Sequence, residues 1–590
     1  MEKKYWQNFG ELNQSDAYTQ SAGQEFKEEL LPLEDMADEG LLEGKTARRD
    51  FLKYLGFSTA AAALAASCEM PVRKAVPYLQ KPDNVIPGVS NYYASTYVNG
   101  GDAISVVVKQ REGRPIKIEG NELSTITKGG TSARSQASVL DLYDTTRLRH
   151  PLQKDGTSYK EVSTFDAFDN MVSGAIANLG GRSIVLLTST INSPSTLQII
   201  NDFLAKYPGS RHVQYDAISY SGMLMANEAC YGKRALPSYH FDKAQTIVSL
   251  SADFLGTWIS PVEFSHQYAK NRKINGENPS LSRHIHFESM MSLTGSNADD
   301  RFTHKPSETG LIALALLAKL GGSVPAPSIN DAKLAKGIEL AAAQLTASKG
   351  SALVVCGSND VNVQVVVNAI NELIGANGAT INWAVTSNYR KGIDADMAKL
   401  VADMSAGTVG GLLVYDCNPA YSYYVSKTFT DALSKLPLSV SFNATMDETT
   451  EACKYILPSH HWLESWGDAE PKSGFISLLQ PVISPLFKTR AFQTSLIKWI
   501  GGQATAVTAV APNDSTAKVT LAAPVTNSAD AYENYIKSYW SGKLGSLELW
   551  DKALQDGVIE TETLAAAGTF SAAKLGEAAA KIAAVKAGAT

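Results

Sequence analysis

Cysteine is scarce in this chain: five residues in 590, Cys68, Cys230, Cys356, Cys417 and Cys453, with no C-x2-C pair among them. Zinc and iron–sulfur sites draw thiolates from closely spaced pairs, so this scatter argues against a self-contained metal cluster. An odd number of irregularly spaced thiols also makes a poor disulfide framework, and buried free cysteines are the plainer reading. Excess basic charge is missing too. A formal net charge of −6 supplies no broad positive field, which excludes nucleic acid as an expected partner. No stretch reaches the ~18–20 uninterrupted apolar residues that a membrane-spanning helix needs. A Gly-x-Ser-x-Gly elbow, a phosphate loop with Gly-Lys-Ser/Thr and a His-Glu-x-x-His helix are likewise not found.

What remains is a chain built to pack. A hydrophobic content of 44% with 19% charged residues is ordinary for a folded protein. Single cores stop growing at roughly 250–300 residues, so two or three domains are expected. Residues 1–44 form an acidic extension, crowded with carboxylates around "LLPLEDM". Residues 45–68, "KTARRDFLKYLGFSTAAAALAASC", place Arg48, Arg49, Phe51, Leu52 and Lys53 before a short, moderately apolar run. A charged start followed by such a run is the mark of an export signal, and the double arginine is its twin-arginine variant. Cys68 follows small residues of the kind that precede a lipid-modified cysteine, so acylation there would tether the protein to a membrane surface. The location implied is the periplasmic side of a bacterial inner membrane, peripheral or lipid-anchored.

Residues 69–92 are proline-punctuated and extended, which suits a linker. "AISVVVKQREGRPIKIEGNE" places β-branched runs on either side of a Glu-Gly turn and predicts a hairpin, within a small β-rich unit over 93–150. Beyond it, short apolar strands alternate with helical periodicity: "SIVLLTS" (183–189), "TIVSLSA" (246–252), "HIHFES" (284–289), "ALVVCGS" (352–358), "TINWAV" (380–385), "GLLVYDCNP" (411–419) and "LSVSFN" (438–443). Such alternation predicts parallel sheets covered by helices on both faces. A break is expected near 322–350, giving α/β domains over 151–345 and 346–502. Residues 503–590 lack a strong apolar face and read as peripheral.

In doubly wound folds the binding crevice lies at the carboxyl ends of the strands. The loops there supply Asp253, Asn297, Asp299, Asn418, Pro419, Asp447, Glu448 and Thr449 as crevice candidates, although helix capping explains Asp447 and Thr449 equally well. "PSHHWLESWGDAEPKSG" (458–474) gathers histidines and carboxylates. Adjacent histidines in an extended segment point to opposite faces, so a structured surface loop is expected there rather than a metal site.

These loops, with "GDAISVVVKQREGRPIKIEGNELSTITKGGTSARSQASVLDLYDTTRLRHPL", resemble the molybdopterin oxidoreductases, whose amino-terminal region carries "GRP-K-EGN", "G-x-C-x-R-G-Q" and "Y-D-x-x-R". The resemblance covers nearly all of residues 25–555. It implies a small β-rich domain followed by two doubly wound α/β domains. In that family the crevice holds a molybdopterin guanine dinucleotide and the small domain an iron–sulfur cluster. Here Ser132 stands where the fourth cluster cysteine would be, and residues 93–128 contain no cysteine. Serine hydroxyls are poor substitutes for thiolates, so the metal expectation for this chain is none. The molybdenum-ligand position is represented by Ser219 or Ser221, with Cys230 too far along.

With its offset signal, the chain is most similar to the molybdopterin-like half of the B subunits of alternative complex III, a quinol-oxidising respiratory assembly. That resemblance implies no cofactor in this chain, no catalytic residue, and a scaffold role. Its implied partners are an iron–sulfur, ferredoxin-like module, a polysulfide-reductase-like membrane quinol subunit, and multihaem and monohaem cytochromes c. The alternative is an active molybdenum oxidoreductase subunit that binds the dinucleotide.

Overall fold

In the predicted hairpin, strands Asp102–Arg111 and Arg114–Gly120 pair antiparallel around Glu112 and Gly113, and strand Asn91–Asn99 completes a three-stranded sheet. Both turn residues have positive φ, 52° and 78°, the geometry that matches the twist of the flanking strands. Val106, Val108 and Ile118 alternate inward and are fully buried. The computed structural model describes residues 88–100, 102–274, 281–501, 508–510, 518–520, 531–561 and 568–584. The extension 1–44, the signal residues Arg48, Arg49, Phe51, Leu52 and Lys53, and Cys68 lie outside the described residues.

Two parallel sheets follow, and the chain weaves between them. The larger has seven strands, in the order Ser158–Glu161, Leu152–Asp155, Tyr455–Ile456, Leu438–Ser441, Val409–Tyr415, Ser183–Thr188 and Arg211–Gln214. Its last five strands run parallel, and the first two form an antiparallel edge hairpin. The smaller sheet is parallel throughout, in the order Asp300–Thr303, Arg283–Glu288, Thr246–Leu250 and Ala352–Cys356. The fold is therefore α/β and doubly wound, with every predicted apolar run on a strand.

The division at 345/346 does not separate these sheets. Strand Ala352–Cys356 pairs with Thr246–Leu250, and Val409–Tyr415 pairs with Ser183–Thr188. The second sheet is an insertion within the first, because parallel partners are joined through crossovers and need not follow chain order. The Ala-rich stretch expected to mark a break is such a crossover. Helix Ala332–Ala347 buries Leu334, Ile338, Ala341 and Leu345 under the small sheet and leads directly to its last strand.

A third sheet is antiparallel: Val558–Glu560, Phe475–Leu479, Gly467–Lys472, Ile381–Ser387 and Leu236–Tyr239. "TINWAV" is a strand, then, but it belongs here rather than in a parallel sheet. The carboxyl-terminal helices are not peripheral either. Helix Ala531–Leu544 buries Tyr532, Ile536 and Trp540 in the core of the seven-stranded domain. Helix Leu575–Ala584 lays Ala578, Ala579 and Ile582 against the smaller domain, where a Cβ at Gly310 would stand 3.1 Å from Ile582 Cγ2. A face of alanines is weakly apolar in sequence yet flat enough to pack closely.

Candidate functional site

The carboxyl ends of the seven-stranded sheet open into a cleft of about 610 Å3. The turns after four of its parallel strands supply the floor: Thr190 to Ser193, Asp416 to Asn418, Asn443 to Thr445 with Asp447, and Ser459 to Trp462. The small unit adds Tyr97, Asn99, Asp144 and Arg147, and the antiparallel sheet adds Asp468. A second cavity, about 790 Å3, lies between residues 127–134 of the small unit and the turn Leu255–Val262 at the carboxyl ends of the four-stranded sheet.

The crevice candidates divide between the sheets. Asn418 Oδ1 accepts from Thr449 N and Oγ1 at 3.2 and 2.7 Å, and its Nδ2 donates to Glu448 Oε2 at 2.6 Å. Asp447 caps helix Glu448–Ala452 by accepting from Thr450 N at 2.8 Å, and also accepts from Asn443 Nδ2. Pro419 opens a short helix. These five residues brace two neighbouring turns, and Asn418 and Asp447 line the cleft. Asp253 instead fastens the four-stranded sheet's own loops, accepting from Thr294 N and Oγ1 at 3.0 and 2.8 Å. Asn297 bonds back to Leu293 O. Asp299 precedes the strand Asp300–Thr303, at the amino end of the sheet, where it holds Arg272 through two bonds of 2.9 and 2.7 Å. It is a structural ion pair outside the crevice.

Ser219 and Ser221 also have local roles. Ser219 Oγ accepts from Ser221 N, and Ser221 Oγ from Asp394 N. Neither lines either cavity. Cys230 is buried on helix Ser221–Tyr231, where burial pushes its thiol up. Ser132 caps helix Ala133–Asp141: its Oγ accepts from Ser135 N at 3.1 Å, while Ser135 Oγ accepts from Ser132 N at 3.0 Å.

Among the described residues the two cavities share no lining residue, and what separates them is specific. Arg390 Nη2 donates to Asp102 Oδ1 at 3.0 Å, Tyr389 Oη to Ala103 O at 3.2 Å, and Gly100 N to Asp416 Oδ2 at 3.2 Å. Gly100, Asp102 and Ala103 of the small unit are thus tied to Asp416, Arg390 and Tyr389, a partition between the two cavities. Non-glycine residues with left-handed backbones gather at these loops: Ser251, Ile259, Arg390 and Asp416 have φ of 52–54°. Strain of this kind persists where surrounding contacts over-determine it.

The charges around the cleft were largely invisible in the sequence. Arg147 pairs with Glu464 at 2.7 Å, both side chains almost wholly buried (3% and 0% exposed), and also donates to Leu142 O. Burial alone would raise Glu464, but hydrogen bonds from Arg147, Leu486 N and His461 N together hold it below its ordinary value. Burial drives His461 down to about 4, with Arg147 adding to the effect. Asp468 is buried in the back wall, accepting from Ser193 Oγ, Ser195 Oγ and Trp540 Nε1. Burial pushes it up and those donors oppose the shift. "PSHHWLESWGDAEPKSG" is therefore a largely buried wall of the cleft rather than a surface loop, since Glu464 and Asp468 find partners from distant segments.

A molybdopterin guanine dinucleotide needs a continuous trough and donors for its phosphates. The partition interrupts the trough, and Arg147, the only arginine or lysine among the described cleft-lining residues, is committed to Glu464. The residues present do not fit that group. Nor does the loop at 127–134 suit a cluster: it has no thiol, and a Cβ at Gly130 would meet Val262 Cγ1 at 2.7 Å.

A small β unit, two doubly wound parallel-sheet domains and a cleft at their strand ends define a molybdopterin-oxidoreductase type of fold. Acetylene hydratase from Pelobacter acetylenicus shares it, with a TM-score of 0.51 and 14% identity over 69% of each chain, a likeness that speaks for the fold alone. In sequence, the chain is 26% identical over 512 residues to the menaquinone reductase molybdopterin-binding-like subunit of Nitratidesulfovibrio vulgaris. That alignment covers 77% of this chain and 72% of the relative. No family model matches. In sequence and in fold the chain is thus similar to molybdopterin-oxidoreductase-like proteins.

Proposed function

We propose that this chain is a cofactor-free, molybdopterin-like scaffold subunit of a quinone-linked respiratory complex of the quinol-oxidising alternative complex III type. The observation that carries the reading is the partition by Arg390 and Asp102, which leaves two separate cavities where an extended dinucleotide would need one. Ser132 supports it, since its hydroxyl caps a helix in a cysteine-free loop. The sequence relative, itself named a molybdopterin-binding-like subunit of a menaquinone reductase, supports the link to quinones. On this reading electrons pass through an adjoining iron–sulfur module between a membrane quinol subunit and cytochromes c. The chain stands on the periplasmic face, exported through its twin-arginine segment, and holds that module in place.

Metal analysis tests the first part. The purified chain should contain neither molybdenum nor iron in stoichiometric amounts, and molybdenum near one atom per chain would overturn the scaffold reading. Affinity purification of the tagged chain from native membranes tests the second. Haem and iron–sulfur spectra with quinol-dependent cytochrome c reduction are expected, and a haem-free monomer from the soluble fraction would refute the assignment to a complex.

A further inference from the structure

We infer that the cleft of the seven-stranded sheet is a receptor for a small organic cation, an aliphatic ammonium or guanidinium compound. This goes beyond the scaffold reading and does not depend on it.

Size and sign come first. The cleft's 610 Å3 falls within the roughly 300–1,000 Å3 of small-molecule sites. Asp141, Asp144, Asp416, Asp447 and Asp468 line it, against Arg147, whose charge is already answered by Glu464. A concave site walled by one sign of charge focuses its field on the opposite sign. Three of these carboxylates also have acceptors to spare. Among the described residues, Asp144 uses Oδ1 for Thr146 and Asp416 uses Oδ2 for Ser189 and Gly100, which leaves the other oxygen of each without a donor. Asp141 accepts no side-chain hydrogen bond from the described residues. Burial pushes both Asp141 and Asp416 up, and the neighbouring Asp144 and Asp216, respectively, push them further, as expected of crowded negative charge.

The walls suit an organic cation in particular. Tyr97, Trp462 and Trp466 line the same space, and aromatic rings attract ammonium and guanidinium groups. Ser459 lies in the wall, 8% exposed, and among the described residues its buried Oγ has no hydrogen-bond partner. Among the described residues no group of three His, Cys, Asp or Glu side chains is placed to hold a metal ion, which favours an organic cation over an inorganic one.

Titration calorimetry on the purified full chain tests this, with agmatine and spermidine as cations, magnesium as the bare metal and guanosine diphosphate as the anion. At neutral pH and low salt, agmatine or spermidine should bind saturably, and guanosine diphosphate and magnesium should not. Asp416→Asn keeps the size and tolerates the left-handed backbone while removing the charge, and it should weaken amine binding by about tenfold or more. Asp144→Asn, at the exposed lip, should weaken it by a few-fold, and salt at about 0.5 M should weaken it in the parent chain. The inference falls if neither amine binds saturably, if both variants bind as the parent does, or if guanosine diphosphate or magnesium is preferred. Molybdenum content is read separately, so failure here leaves the scaffold reading standing and the reverse also holds.

Discussion

Arg390 donates Nη2 to Asp102 Oδ1 at 3.0 Å, and Asp102 is shared with Arg134, which holds Oδ2 at 2.8 Å. The neighbours of Arg390 are tied to other elements in turn. Tyr389 reaches Ala103 O, Lys391 N donates to Thr190 Oγ1 at 2.6 Å, and Gly392 N donates to Asp216 Oδ2 at 2.8 Å. Four consecutive residues are thus fixed to the small unit and to the turns after two strands of the seven-stranded sheet. This is why Arg390 can keep a left-handed backbone, and why the crevice is divided.

Arg390→Ala should therefore destabilise the chain by about 1–3 kcal/mol in urea unfolding, since Asp102 loses one of two partners in a largely buried setting. Arg390→Gly should lose about 1 kcal/mol less, because glycine adopts φ near 52° without steric cost. A glycine variant less stable than the alanine variant would contradict the account of strain.

Ser132 offers a test of the expectation that the small unit holds no cluster. Ser132→Ala removes the helix cap and should cost about 0.5–2 kcal/mol in unfolding free energy. Ser132→Cys should bring in no iron on reconstitution with iron and sulfide, because the described thiols, Cys230, Cys356, Cys417 and Cys453, lie outside the small unit. Iron content near a cluster's complement in that variant would show that ligands assemble from elsewhere.

Acid should destabilise the fold earlier than carboxylates alone would predict. Burial lowers His284 to about 3, and His212, His240 and His461 to about 4. Each is neutral in the native state and takes up a proton on unfolding near 6.5. Their stabilising contribution is complete above pH 6.5 and is lost as pH falls towards 3–4. Urea midpoints should decline from about pH 6.5 downwards. His284 is packed by Phe254 and Tyr268, with His286, Arg272, Asp299 and Glu288 as its charged or titratable neighbours. Tyr268 Oη keeps Asn297 O as an acceptor when the imidazole is gone. His284→Phe should thus reduce the slope by up to about 1.4 kcal/mol per pH unit, and an unchanged slope would refute its role.

The strands were legible because fully buried parallel strands are short apolar runs, and the hairpin because Glu112-Gly113 sits between β-branched runs. Their pairing was not, since nothing local in "ALVVCGS" says that its neighbour is "TIVSLSA" a hundred residues earlier. Asn418 and Asp447 were found at the cleft through the rule that strand ends bind. Asp299 was misplaced by the same rule, because a loop also ends where the next strand begins. Arg390 and Asp102 escaped notice, and Glu464 and Asp468 were assigned to a surface loop, as a buried charge is identified by partners far along the chain. The tail was underestimated because aromatic and alanine faces carry little hydrophobic periodicity.

Trp540 joins that tail to the cleft and gives the sharpest test of its importance. Its Nε1 donates to Asp468 Oδ2 at 2.7 Å, beside Tyr532, whose hydroxyl meets Ser195 Oγ at 2.8 Å. Asp468 has no cationic partner within ion-pair distance among the described residues, so neutral donors make its direct contacts. Trp540→Phe keeps most of the ring volume and removes one of those donors, and it should cost about 1.5–3 kcal/mol. Asp468→Asn turns one acceptor oxygen into a donor among donors and should cost at least as much. Because the two changes disrupt the same bond, their combination should cost less than the sum by about 1–2 kcal/mol. Strict additivity in that cycle would mean that the tail packs on the cleft wall without this bond contributing to its hold.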